Sequence, residues 1–240
     1  MKIRLAAIIA LLLATGCVRK DDLTLPVKVY FKFGILRDYN TSKEYLEFTG
    51  CRIGIQQIGF AGSREAGGDI YFTSDPSLNL QTLSFTQEPV TISEFDIPQG
   101  VYDSMKWDIT LKCVDAMGLT DGRNESSPCI SIVFTGNYTS LRGSVIPLIL
   151  DIDKPEIFRI LASDPGGDPI IVLSVGKEYE AIVWFTPEFA FSVITRQLLE
   201  EAEISGDNDN SRIIISSRIN KEMYQILLYR IIQSASVIVK

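Results

Sequence analysis

Apolar and polar residues alternate along most of this chain. Val27, Val29, Phe31, Phe33 and Ile35 stand on one side of the alternation, with Lys28, Tyr30 and Lys32 on the other. That period of two is the mark of a strand with one buried face. Shorter stretches repeat it: Tyr45 to Phe48, Cys51 to Ile58, Ile70 to Thr73, Leu78 to Phe85, Val90 to Ile97, Met105 to Val114 and Ile130 to Thr135. Gly50, Gly54 and Gly59 predict bends or bulges, and Ser63 to Asp69 reads as a glycine-rich turn. Pro98-Gln99-Gly100 has the proline and glycine of a tight turn. Leu141 to Ile152 is a strand in which Pro147 predicts an edge position or a bulge. Asp164-Pro165-Gly166-Gly167-Asp168-Pro169 is the strongest turn signal and a possible boundary. After it, Ile170 to Val175 and Glu178 to Phe185 read as a hairpin around Gly176-Lys177, with Tyr179, Ala181, Val183 and Phe185 on one face and Glu178, Glu180, Ile182 and Trp184 on the other.

The last quarter changes period. Thr195 is placed to cap a short helix through Ala202, and Asn220 to cap a second over Lys221 to Gln233, with Met223, Ile226, Leu227, Arg230 and Ile231 along one side. Arg212 to Ser216 and Ser236 to Lys240 read as strands. Many short strands separated by Gly, Pro and Asn turns predict a mainly β protein, an antiparallel β-sandwich over residues 27–185. A mixed αβαβ segment over 186–240 is expected to pack across one sheet or to form a small appended subdomain.

Residues 1–16 follow other rules. Lys2 and Arg4 precede an unbroken apolar run, Leu5 to Leu13, and Ala14-Thr15-Gly16 leads to Cys17. The run is too short to span a bilayer and has the layout of a signal peptide. The small residues before Cys17 resemble the bacterial lipobox, with Ala14 where leucine is usual, and that resemblance implies acylation of Cys17. Lys20-Asp21-Asp22 resembles the lysine-plus-acidic export tag of Bacteroidetes lipoproteins. Together they imply a tether over 17–26 and a membrane partner reached through the lipid on Cys17, in the outer membrane and facing the cell exterior. Acyl chains contribute roughly 0.8 kcal/mol per buried CH₂, so two or three chains hold a protein firmly. The strand up to Ile97, the Pro98-Gln99-Gly100-Val101-Tyr102 turn and the amphipathic strand after it resemble the transthyretin-like sandwich domains of Bacteroidetes surface lipoproteins, over residues 27–185. This resemblance implies a fold and no established activity, so it transfers no catalytic residue.

Composition narrows the chemistry. The chain has 23 basic and 30 acidic residues; without the leader's two basic residues the balance is −9, which argues against nucleic acid as a partner. Histidine is absent, which removes Ser-His-Asp and Cys-His catalysis, His-containing zinc sites and His-based pH switching. No cofactor or metal is implied, and a hydrolase would have to work through a pair of carboxylates that nothing in the sequence marks. Cys113 and Cys129 flank a polar stretch, and a disulfide between them would contribute about 3 kcal/mol in the chain-entropy model. Strand parity sets them on opposite faces, which a bulge would reconcile; buried free thiols are the alternative. Cys51, in line with Ile53 and Ile55, reads as a core thiol, and Trp107 as core.

Trp184 with Glu180 is the one pairing that points to a ligand. An exposed indole beside a carboxylate suits a sugar's C–H face and its hydroxyls, and the competing expectation is that the helical tail covers the indole. Asp207, Asp209 and Ser211 have the spacing of a calcium loop but lack its glycine and its closing acid, and read as a solvated turn. The acidic loop Asp115, Asp121, Asn124 and Glu125 has no specific spacing. The sequons at Asn40, Asn124 and Asn137 carry no weight where the leader implies bacteria. The sequence therefore predicts a non-enzymatic surface lipoprotein that binds an extracellular glycan or a partner outer-membrane protein. The alternatives are a fibre or adhesin subunit exchanging the Ser236–Lys240 strand, and a carboxylate hydrolase.

Overall fold

The computed structural model describes residues 22–74, 78–85, 87–112, 114–115, 129–153, 156–206 and 211–240. It is mainly β, with 54% strand against 13% helix. The strands are β1 Pro26–Ile35, β2 Leu46–Arg64, β3 Ile70–Ser74, β4 Leu78–Leu83, β5 Val90–Pro98, β6 Gly100–Leu111, β7 Val114–Asp115, β8 Cys129–Ile130, β9 Ile132–Thr139, β10 Val145–Ile152, β11 Ile157–Ser163, β12 Ile171–Leu173, β13 Glu178–Phe185, β14 Ile204–Ser205, β15 Arg212–Ile215 and β16 Ser236–Val239. Three helices follow β13: α1 Pro187–Phe191, α2 Arg196–Glu200 and α3 Lys221–Ser234. One large sheet runs β14-β15-β10-β9-β2-β6-β11-β16-β13-β1-β5, with β3 and β4 attached to β2 and β12 to β6.

The alternation of β1 survives intact. Val27, Val29, Phe31, Phe33 and Ile35 are all buried, and Phe31 meets Trp107 of β6 with ring centroids 4.5 Å apart. Trp107 is fully buried and also packs on Phe60 and Phe95. The β1 and β6 regions of the sheet therefore face each other across one core. At roughly 1.5–3 kcal/mol per fully buried large apolar side chain, this aromatic group is a principal source of stability.

The glycines of β2 bend the strand without breaking it. Two strands were expected here, yet β2 is continuous over 19 residues, with register shifts between Phe48 and Gly50, between Ile53 and Ile55, and between Ile55 and Gln57. Each shift is a bulge, and bulges let one strand pair with β9 in its first half and β6 in its second.

Three pairings correct the antiparallel expectation: β1 with β13, β10 with β15 and β11 with β16 are parallel. The expected hairpin of β12 and β13 does not form. β12 pairs with β6, while β13 lies between β1 and β16. Ile171 and Leu173 are buried facing the core, so the turn at Gly176 carries the chain from one face of the core to the other. Pro147 pairs with Asn137 of β9, but the ladder to β15 covers only Leu148 to Leu150. The proline thus stays clear of a ladder that would need its missing N–H.

The C-terminal segment is woven into the sheet. β16 sits between β13 and β11, with Val237 and Val239 buried. Exchange of this strand would break two ladders. Thr195 caps α2 as expected, accepting from the Leu198 amide at 3.3 Å. Asn220 occupies the cap position of α3 but makes no cap bond. With φ at +54°, its side chain instead accepts from Glu203 N at 2.8 Å and donates to Ile214 O at 2.8 Å, clamping β14 and β15. Ile226 faces out from α3, and Met223, Tyr224, Leu227 and Ile231 form the buried side.

Candidate functional site

Three rows of side chains build the outward face of β1, β13 and β16. Gly34, Trp184 and Ser236 stand in register, as do Lys32, Ile182 and Ile238, and Tyr30, Glu180 and Lys240. The strict alternation of β1 and β13 sends their other residues to the core, so this face is fixed by the same pattern that makes the core. Trp184 lies across Gly34. A Cβ on Gly34 would fall 2.3 Å from Trp184 Cζ3 and 2.7 Å from Cε3, so the six-membered ring rests on the bare backbone of its neighbour. Trp184 is partly exposed. The C-terminal segment supplies the strand β16 beside it, and the face is not open throughout, since Ile182 in the next row is 1% exposed.

Glu180 and Lys32 form a hydrogen-bonded ion pair, and Lys240 Nζ lies 3.7 Å from the second Glu180 oxygen. The hydrogen bond from Lys32 holds the Glu180 carboxyl below its usual range, and the charges of both lysines add to it. Between Glu180 and Trp184, Ile182 is buried outside the main core cluster. The face thus offers a partly exposed indole and a fixed carboxylate–ammonium group, with Ile182 closed off from solvent between them. Four residues separate Trp184 from Glu180, roughly 13 Å along the strand, so the two act as opposite ends of a platform.

The tether side is built separately. Asp22 Oδ1 accepts from Thr24 N at 3.1 Å and Thr24 Oγ1 at 2.6 Å, and the hydroxyl hydrogen bond holds the carboxyl below its usual range. Its carbonyl accepts from Gln99 Nε2 at 2.8 Å. Arg64, which carried no signal in the sequence, is buried here and donates to the carbonyls of Leu23, Gln99, Gly67 and Gly68. One guanidinium therefore fastens the entering chain to two turns. Cys17, Lys20 and Asp21 lie outside the described residues, as do Cys113, Asp121, Asn124, Glu125, Asp207 and Asp209. Of Cys129 only the backbone pairing with Asp115 is described, so the Cys113–Cys129 bridge falls outside them too. Cys51 is a buried free thiol, pushed up by burial.

A second acidic group closes the end of β10. Asp151 is 8% exposed, and burial, with Asp153 beside it, pushes its carboxyl up to about 7 against a weaker pull from Arg218. Asp153 is committed: it accepts from Ser217 Oγ at 2.6 Å and from Ser217 N at 3.4 Å. The buried hydroxyl of Tyr224 faces the same carboxylates and is pushed upward by burial. Among the described residues, no group of three or more His, Cys, Asp or Glu is arranged to hold a metal ion. No described helix is long and apolar enough to cross a membrane. The chain matches no protein-family model, no curated protein and no solved structure.

The helix α1 went unpredicted although its start is written in Thr186-Pro187-Glu188, a proline and an acid in a first turn. Gly34 carries no such signal along the chain. Its role exists only once β13 lies beside β1.

Proposed function

We propose that this protein is a lipid-anchored lipoprotein of the outer cell surface that works by binding and not by catalysis. Its ligand is an extracellular glycan presented to the Trp184 face, the alternative being a partner outer-membrane protein. The observation that carries the reading is the indole of Trp184 resting on Gly34 and partly exposed on an outward sheet surface. An immobilised aromatic ring is what a pyranose C–H face packs on, and the carboxylate–ammonium pair, about 13 Å along the strand, serves the hydroxyls of another unit of the same glycan. Gly34 stands eight residues along β1 from Pro26, roughly 26 Å from where the tether enters. A site at that end faces away from the anchoring membrane. The close approach of Phe31 and Trp107 across the core supports a sandwich as the scaffold, which in this reading is of transthyretin-like type.

The test is binding of a soluble form beginning at Val18, so that the Leu23 and Asp22 contacts are kept, to a panel of polysaccharides. Saturable binding weakened by about tenfold or more in Trp184→Ala is the expected result. Binding of undiminished affinity in Trp184→Ala, or no binding across the panel, refutes the glycan face.

A further inference from the structure

On the far side of the core, the outward face of β3, β2 and β6 holds an open depression of about 300 Å³ lined by Gly59, Ala61, Tyr71, Thr73 and Asp108. Its origin is the alternation of β2 and β3. Phe60 and Phe72 stack inward with ring centroids 4.9 Å apart, so the small residues Gly59 and Ala61 and the paired Thr73 and Tyr71 face out. The missing side chains of β2 leave a floor, and β3 and β6 supply the walls.

Both walls are pre-set. The Tyr71 ring is 72% exposed, yet its hydroxyl is held by Asp69 Oδ2 at 3.3 Å, and Asp69 Oδ1 by the Ser63 hydroxyl at 3.1 Å. A large apolar ring kept in solvent by two successive hydrogen bonds is a preorganised contact surface. Opposite, Asp108 Oδ1 lies 3.4 Å from Lys106 Nζ, each side chain 41% exposed; Oδ1 is itself closed off from solvent without a hydrogen bond, so the other carboxylate oxygen is the one that would meet a ligand. The charges cancel, so the depression has little pull on an ion. It combines an aromatic face and a carboxylate in a space at the small end of ligand pockets, and the Lys106 ammonium reaches it through its pair with Asp108.

We propose that this depression binds a single neutral sugar ring, its C–H face on Tyr71 and its hydroxyls on Asp108 and Lys106. The inference does not rest on the Trp184 reading, because the two surfaces lie on opposite faces of the core and share no residue.

The test is ligand-observed saturation-transfer NMR of the purified chain with the methyl glycosides of glucose, galactose, mannose and N-acetylglucosamine. Saturable binding of at least one, in the millimolar range of a one-ring site, is expected. Tyr71→Ala removes the platform and Ala61→Leu fills the floor from the solvent side; each is expected to weaken binding by about tenfold or more. Asp108→Asn leaves the depression's shape unchanged and is expected to weaken it about fivefold, which keeps the test decisive if Ala61→Leu fails to fold. Trp184→Ala should leave this binding intact. The proposal is overturned if no glycoside binds saturably, or if binding survives both Tyr71→Ala and Asp108→Asn.

Discussion

Replacing Gly34 by alanine tests the site without removing any of its chemistry. The new Cβ would sit 2.3 Å from Trp184 Cζ3 and 2.7 Å from Cε3, whereas carbon atoms in contact stay about 3.5–4.0 Å apart. The indole must therefore retreat by more than about 1 Å, and Gly34, paired in the β13 ladder and flanked by Phe33 at the end of the β5 ladder, has little freedom to move instead. Overpacking of this kind costs about 1–3 kcal/mol, offset by about 0.4–1 kcal/mol because alanine has less unfolded-state freedom than glycine. A net loss of about 1–2 kcal/mol lowers Tm by roughly 2–8 °C in a chain of this size. The optical readout is unusually clean, since the protein has two tryptophans and the other, Trp107, is fully buried. Gly34→Ala is expected to shift emission to the red and to weaken glycan binding about tenfold while every polar group stays in place. Unchanged emission together with wild-type affinity refutes the contact and with it the platform.

Asp151→Asn is expected to flatten the pH dependence of stability. The folded carboxyl sits at about 7 against an ordinary 3.8, so its protonated form is favoured by folding. Stability is whole below pH 4 and declines as pH rises through 7, by at most about 4 kcal/mol. Urea unfolding at pH 4 and pH 8 should show the variant gaining on wild type only at pH 8, and an equal difference at both would sink the argument. Arg64→Ala leaves four carbonyls without their donor, for a loss of about 3 kcal/mol that Arg64→Lys recovers only in part. Hydrogen exchange at the Leu25 and Gln99 amides should quicken, and unaltered protection there contradicts the fastening role. A chain ending at Ala235 loses β16 from between two ladders, with Val237 and Val239 buried. Roughly 1.5–3 kcal/mol for each side chain, plus two broken ladders, approaches the whole stability of a domain. The truncated chain should show no cooperative melt, and a native near-UV spectrum from it would overturn the woven topology.

What the sequence determined by itself is what depends on near neighbours. The alternation of β1 named its five buried residues, and the same reasoning placed Trp107 and Cys51 in the core and Thr195 at a helix start. The parity of β13 put Trp184 and Glu180 on the side away from the core, as observed. Each follows from a dihedral preference or a period of two, which a strand carries whoever its partner is. Pairing is another matter. That β13 runs parallel to β1, that β12 and β13 part to different faces, and that β16 slots between β13 and β11 all depend on residues more than fifty positions apart meeting in space. Such meetings set Trp184 on Gly34 and join Lys32 and Lys240 to Glu180; Arg64 reaches Leu23 across 41 positions, and the β2–β6 pairing brings Asp108 to Gly59, whereas Tyr71 faces Ala61 across the local β2–β3 hairpin. A bare glycine signals a bend when read along the chain. It becomes a ring's resting place when the neighbouring strand arrives, because the space it leaves is defined by what lies across the sheet and not by what precedes it.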